Sequence, residues 1–285
     1  MDPYSITAAV LILLVALTFS PLGLGGGVLY LPILLYIAEW PVSQAILGSL
    51  SMVWMVAIAT IFGVVIGKEI FGGTGYNIFN PALTARAFLF FAYPSNMSGN
   101  VPWISPVDVT SRATPLLEIS SNMNFNYDWW SMFVGYIPGS VGETSTLAIL
   151  FGALILIVTK IGSWRIMLST CIGMIITSLL LNQLGKIDGT GPMLDVNPLY
   201  HFVMGGFAFG MVFMATDPVS SAQTNIGRCI YGLLIGFMAV LIRCINPAYP
   251  EGMMLAILFA NAFSPLIDYS VLQKHIKQRE KSYAK

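Results

Sequence analysis

The residues closest to doing chemistry lie between 72 and 82, which read Gly-Gly-Thr-Gly-Tyr-Asn-Ile-Phe-Asn-Pro-Ala. Three glycines permit a sharply unwound backbone that a large group can approach. Asn77 and Asn80 follow at i and i+3, one face of a helix, each with an amide donor and acceptor. Pro81 fits the first position of a helix. With Phe71, Phe79 and Phe88 close in sequence, the segment suits a flat heteroaromatic ring such as an isoalloxazine. A structural re-entrant turn is the plainer reading of the same residues. A phosphate loop is excluded, because no Lys-Ser/Thr follows the glycines and no βαβ unit surrounds them.

Four acids stand in or beside apolar runs: Glu143, Asp217, Glu251 and Asp268. A charge at membrane depth costs about 2.5–3.5 kcal/mol on insertion scales, so each needs a reason. They are either helix-terminal or solvated acids, or oxygen ligands along a path for a hard cation. Gly25 and Gly26 belong to a second Gly-rich break, either a loop or backbone lining a quinone slot. The stretch Asp108-Val-Thr-Ser-Arg-Ala-Thr-Pro115 is compact, polar and unexplained by an aromatic interfacial belt. Cys171, Cys229 and Cys244 read as free thiols packed among helices, and two histidines are too few for a metal centre.

The elements that must hold these residues follow from composition. Of 285 residues, 56% are hydrophobic and only 9% charged. A soluble domain carries about 25% charged residues. The chain is therefore an all-α polytopic membrane protein, not a nucleic-acid binder or an ordinary soluble enzyme. Apolar runs occupy 5–20, 28–38, 44–67, 79–94, 144–160, 164–182, 199–215, 230–246 and 252–270, two of them short. Lys/Arg placement puts the basic tail in the cytoplasm, with Lys68, Lys160, Arg165 and Arg228 on the same side. Segments 95–143, 183–198 and 246–251 then fall outside. Residues 77–90 and 246–259 share Asn-Pro-Ala openings of opposite direction, the pattern of an inverted repeat with re-entrant or broken helices.

Five blocks carry a family resemblance, in order: residues 63–94, DVTSRATPL (108–116), PGSVGETS (138–145), GGFAFGMVFMATDPVSS (205–221) and INPAYPEGMMLAILFANAFSPLIDY (245–269). The chain resembles the NqrB/RnfD family, the B-type membrane subunits of Na+-translocating NADH:quinone oxidoreductases and the D-type subunits of Rnf complexes. The resemblance covers residues 41–271 as a membrane core with segment 95–143 outside, between a poorly matching 1–40 and a basic tail 272–285. It implies ten helices in two inverted repeats in a bacterial inner membrane.

The same resemblance implies FMN joined through its phosphate to Thr114, with Asp108 and Ser111 as motif residues. Arg112 replaces the family's motif glycine and offers charge-assisted hydrogen bonds to a phosphate. It further implies riboflavin at Asn77 and Asn80, a Na+ path through Asp217, Asp268 and Glu143, and a quinone site at Gly25 and Gly26. Electrons would run from FMN through riboflavin to ubiquinone, with Na+ exported. The implied partners are an NADH-oxidising flavin/iron–sulfur subunit, further membrane subunits, membrane lipid and a flavin transferase. The alternatives are an Rnf-type D subunit and a channel or transporter without cofactor.

Overall fold

The computed structural model describes residues 42–93, 114–120, 127–140, 142–188, 192–246 and 251–283. Gly25, Gly26, Asp108, Ser111 and Arg112 lie outside the described residues. Ten α-helical elements and no strand occur among the described residues. The chain divides into two units at Phe62/Gly63, and all that follows on packing concerns residues from Gly63 onward.

Helix α1 (Val42–Gly67) is one of four helices among the described residues that are long and apolar enough to cross a membrane; its span runs Trp54–Phe71. The others are α6 (Trp164–Asp188), α9 (Asn225–Ile245) and α10 (Met253–Tyr283). Helix α10 continues without a break into the basic segment ending at Tyr283. Helices α2 (Pro81–Ala92) and α5 (Thr146–Val158) are apolar but hold 12 and 13 residues. At 1.5 Å per residue each spans roughly 20 Å, short of a hydrocarbon core of about 30 Å. The apolar run 144–160 therefore holds a helix of about two-thirds that thickness. Its exposed Phe151, Leu154 and Val158 suit a lipid contact.

The run 199–215 is not one helix. It forms α7 (Pro198–Val203), a turn at 204–206, the single turn α8 (Phe207–Phe209) and a π-helical turn Gly210–Met214. Gly205 takes φ +61° at the break, a conformation costly for any side chain. Apolar composition hides this break, because hydropathy registers what the residues are and not where the backbone turns.

Close helix contacts rest on small residues. A Cβ on Gly63 would lie 2.6 Å from Pro81 O and 2.7 Å from Ala85 Cβ, and Gly67 stands one turn further on against Pro81 and Thr84. This Gly-x-x-x-Gly pair seats the start of α2. Gly232 and Gly236 of α9 do the same against Ser169 and Thr170 of α6, and Gly173 of α6 against Leu233 O at 2.5 Å. The main core runs between α6, α9 and α10 and includes Met174, Phe207, Tyr231, Ile235 and Ile257. A smaller cluster of Leu116, Met132, Ile137, Val203 and Met204 joins α3 (Pro115–Ser120), α4 (Trp129–Val134) and α7.

Asn80 opens α2 as its N-cap, as the Asn-Pro spacing predicts. Asn246 does not open a helix: it closes α9 as C-cap, and α10 starts only at Met253. The second Asn-Pro helix start is instead Asn197-Pro198 of α7, where Asn197 accepts from Leu199 N. The two Asn-Pro-Ala sequences thus do different local work. Proline forbids helix continuation as readily as it favours helix initiation.

Candidate functional site

Three groups of polar residues stand out, each tied to a helix end. The first surrounds Thr114. Its carbonyl accepts from Leu117 N and Glu118 N, so the residue heads α3. Thr114, Leu116, Glu143, Thr144, Gly205 and Glu251 line one small cleft of about 10 Å³. That volume holds about one water. Any larger group borne on Thr114 must extend away from the cleft. Glu143 Oε1 accepts from Ser140 N at 3.2 Å. It closes the Pro138–Glu143 turn, while Ser145 is the actual N-cap of α5.

Glu251 precedes the α10 span and pairs with Arg86 of α2 at 3.6 Å. Burial, and next the Glu143 carboxylate, hold its carboxyl above the usual carboxylate range; Arg86 and Arg243 pull it back. Arg243, near the end of α9, is 1% exposed. Its Nε donates to Glu251 O, Nη1 to His201 O and Nη2 to Met204 O, at 3.1, 2.7 and 3.0 Å. One guanidinium thereby binds the end of α7, the Gly205 turn and the approach to α10, and the ring of Phe207 lies 5.6 Å beneath it. Neither ring nitrogen of the buried His201 has a hydrogen-bond partner.

Sequence reading concentrated on acids and passed over Arg86 and Arg243. Both were visible as cations inside the apolar runs 79–94 and 230–246, which should have asked for a carboxylate or carbonyl partner.

The second group is the α2 approach. Asn77 Nδ2 donates to Phe79 O at 3.3 Å. Asn80 Oδ1 accepts from Ala82 N at 3.0 Å and Leu83 N at 3.4 Å. Each amide has spent one end locally. Asn77 Oδ1, an acceptor, and Asn80 Nδ2, a donor, remain. That complement matches the alternating carbonyl and N–H edge of a flavin pyrimidine ring, so these residues fit such a group. Phe71 and Phe79 stand edge to face beside them, 6.1 Å between centroids.

The third group lies at the other end of α9. Asp268 of α10 accepts from Gln223 N, Thr224 N and Thr224 Oγ1 at 2.6, 3.0 and 2.6 Å. Thr224 in turn caps α9 through Gly227 N. Asp217 accepts from Ser220 Oγ at 2.6 Å, and more loosely from Ser220 N and Val219 N. It organises a turn rather than starting a helix, since the next helix begins at Asn225. Helix α9 has 21 residues, about 30 Å. The Thr114–Glu251 group and the Asp268 group therefore lie at opposite ends of it.

The NQR2, RnfD, RnfE family pattern matches residues 43–277. The B-type subunit of the Na(+)-translocating NADH-quinone reductase of Ectopseudomonas mendocina is 58% identical over 231 residues, 79% of this chain and 57% of the relative. The proteins of the same name from Chromohalobacter salexigens and Yersinia pestis are each 55% identical over 80% of this chain and 56% of theirs. The chain thus spans a little over half the length of the relatives it matches.

Proposed function

Because the chain belongs to the NQR2, RnfD, RnfE family, we propose that it is a flavin-carrying membrane subunit of a Na+-translocating NADH:quinone reductase in a bacterial inner membrane. In this reading FMN is ester-linked through its phosphate to Thr114 on the periplasmic side, riboflavin occupies Asn77 and Asn80, and ubiquinone is the electron acceptor. The flavins, when bound, supply the electron transfer. The chain's own residues bind and orient: Asn77 Oδ1 accepts from the ring N–H and Asn80 Nδ2 donates to a ring carbonyl. Asp217, Asp268 and Glu143 belong to the Na+ path, and the quinone site includes Gly25 and Gly26. Asp108, Ser111 and Arg112 present Thr114 to a flavin transferase. An NADH-oxidising subunit with flavin and iron–sulfur centres and further membrane subunits complete the complex.

What carries this reading is where Thr114 stands. It heads α3 at the lip of a cleft, at the opposite end of α9 from Asp268. In this reading the flavin-bearing end also holds Glu143, the far member of an ion path whose Asp268 stands at the other end of α9. Support also comes from the Lys/Arg count, which puts 95–143 and 246–251 on one side, the two segments that meet in the cleft. The test is in-gel flavin fluorescence of the denatured chain from its native membranes. Fluorescence in the wild type and none in Thr114→Ala is expected; equal fluorescence in both removes Thr114 as the attachment point.

A further inference from the structure

Helices α9 and α10 run antiparallel and carry two polar rungs. The first is Thr224 with Asp268, toward the end of α10 that bears Lys274 and Lys277. The second is Tyr231 Oη donating to Asn261 Oδ1 at 2.5 Å. Seven residues separate the rungs on each helix, about 10 Å along the axis. Ser264 lies between them, at i+3 from Asn261 and i−4 from Asp268, on the same face of α10. It is buried. On the facing helix Gly227 leaves no room for a Cβ beside Asp268 and Thr224. A seam of polar groups therefore runs from the Asp268 end into the interior of the helix pair.

The inner rung carries more polarity than helix packing needs. Tyr231 and Asn261 are both 0% exposed. A phenol–amide bond between two helices serves as ordinary interhelical glue, and one acceptor on residue 261 suffices for it. Asn261 Nδ2 is buried without a partner, which leaves an amide donor desolvated and unrewarded. A half-turn of the amide exchanges its ends. Nδ2 then donates to the phenol oxygen, which accepts as well as it donates, and Oδ1 faces the side where the amine stood. Because its neighbour is a hydroxyl, Asn261 keeps its bond to Tyr231 in both orientations.

We propose that the Tyr231–Asn261 pair is the inner binding station for a desolvated small hard cation, Na+ foremost, reached past Asp268. This rests on the reading of Asp217 and Asp268 as an ion path. In one amide orientation Asn261 offers N–H to a water; in the other it offers a carbonyl oxygen, the ligand type a hard cation takes. A neutral amide–phenol station binds a cation weakly enough to release it, as passage requires.

The test is a Na+ titration of quinone-reductase turnover in the complex purified from native membranes, with Li+ and K+ alongside. Asn261→Leu keeps the volume and removes both amide ends. It is expected to raise the half-saturating Na+ concentration about tenfold, the equivalent of about 1.4 kcal/mol, at wild-type flavin content. Tyr231→Phe leaves the amide and removes its clamp, for an expected rise of about threefold. The Na+-specific thermal stabilisation of the solubilised complex should fall in the same order. If Asp268→Asn shifts half-saturation but neither Asn261→Leu nor Tyr231→Phe does, the inner station is overturned and the path stands. If Asp268→Asn has no effect either, the path itself falls and the station with it. Should Asn261→Leu fail to assemble, Tyr231→Phe decides by the same criterion.

Discussion

Replacing Asn80 in turn by alanine, serine and aspartate separates two roles held by one side chain. Its Oδ1 accepts from Ala82 N and Leu83 N, which fixes the start of α2. Its Nδ2 is the end that the proposed riboflavin would use. Asn80→Ala removes both. Loss of the cap costs about 1 kcal/mol. Loss of one neutral hydrogen bond costs about 0.5–1.5 kcal/mol, or roughly two- to tenfold in flavin affinity. Asn80→Ser and Asn80→Asp each retain a capping oxygen. Serine is too short to reach a ligand past the cap, and aspartate turns the donor into an anion facing a ring carbonyl. Stability should follow the cap and riboflavin content should follow the donor. The assay is acid extraction and quantitation of released flavin per complex, paired with a thermal melt. All three variants should lose riboflavin, and Asn80→Ala should melt earlier than Asn80→Ser and Asn80→Asp. A wild-type complement of riboflavin in Asn80→Asp would refute the reasoning and leave Asn80 as a helix cap alone.

Other expectations follow from the same geometry. Asp268→Ala strips the acceptor from Gln223 N, Thr224 N and Thr224 Oγ1, at a cost of about 2–4 kcal/mol. It should weaken the Na+ dependence of turnover as well, so a Na+ titration identical to wild type would return Asp268 to a purely structural role. Gly236→Ala drives a methyl into Thr170 O and to 2.6 Å from Met174 N. A loss of about 1–3 kcal/mol in a thermal melt is expected, and an unchanged melting temperature would contradict the close α6–α9 contact. Glu251 is held above the usual carboxylate range, so the folded state binds its proton more tightly than the unfolded state does. The native fold therefore loses stability as pH rises through the folded pKa and keeps it below the unfolded value of about 4.3. Glu251→Gln removes that loss while leaving an acceptor for Arg86. Melting curves of the two proteins should coincide in acid and separate in the variant's favour as pH rises; curves that stay parallel would count against a raised carboxyl.

Most spans were legible in the sequence because a run of 20 apolar residues has few other uses in a chain with 9% charge. The run starting at 44 became Val42–Gly67, and that starting at 252 became a helix from Met253. Asn80-Pro81 was legible as a helix start because cap and proline act locally. What stayed hidden depended on partners distant in sequence. Asp268 read as either a solvated acid near a basic tail or a member of an ion path, yet it also holds residues 223 and 224 at the start of another helix. Asn246-Pro247 looked like a second helix start, yet Asn246 closes the helix before it. Arg243 could have been found from its place in an apolar run. Its three carbonyl acceptors, supplied by residues 201, 204 and 251, could not.

The electron-carrier account stands most directly on the mass of one peptide. The chain should be taken from its native membranes, digested, and the fragment bearing Thr114 weighed. The account predicts a fragment heavier by one FMN less a water, with the increment localised to the Thr114 hydroxyl. A fragment of unmodified mass as the only species would contradict it, leaving an ion-conducting helical protein without its redox group.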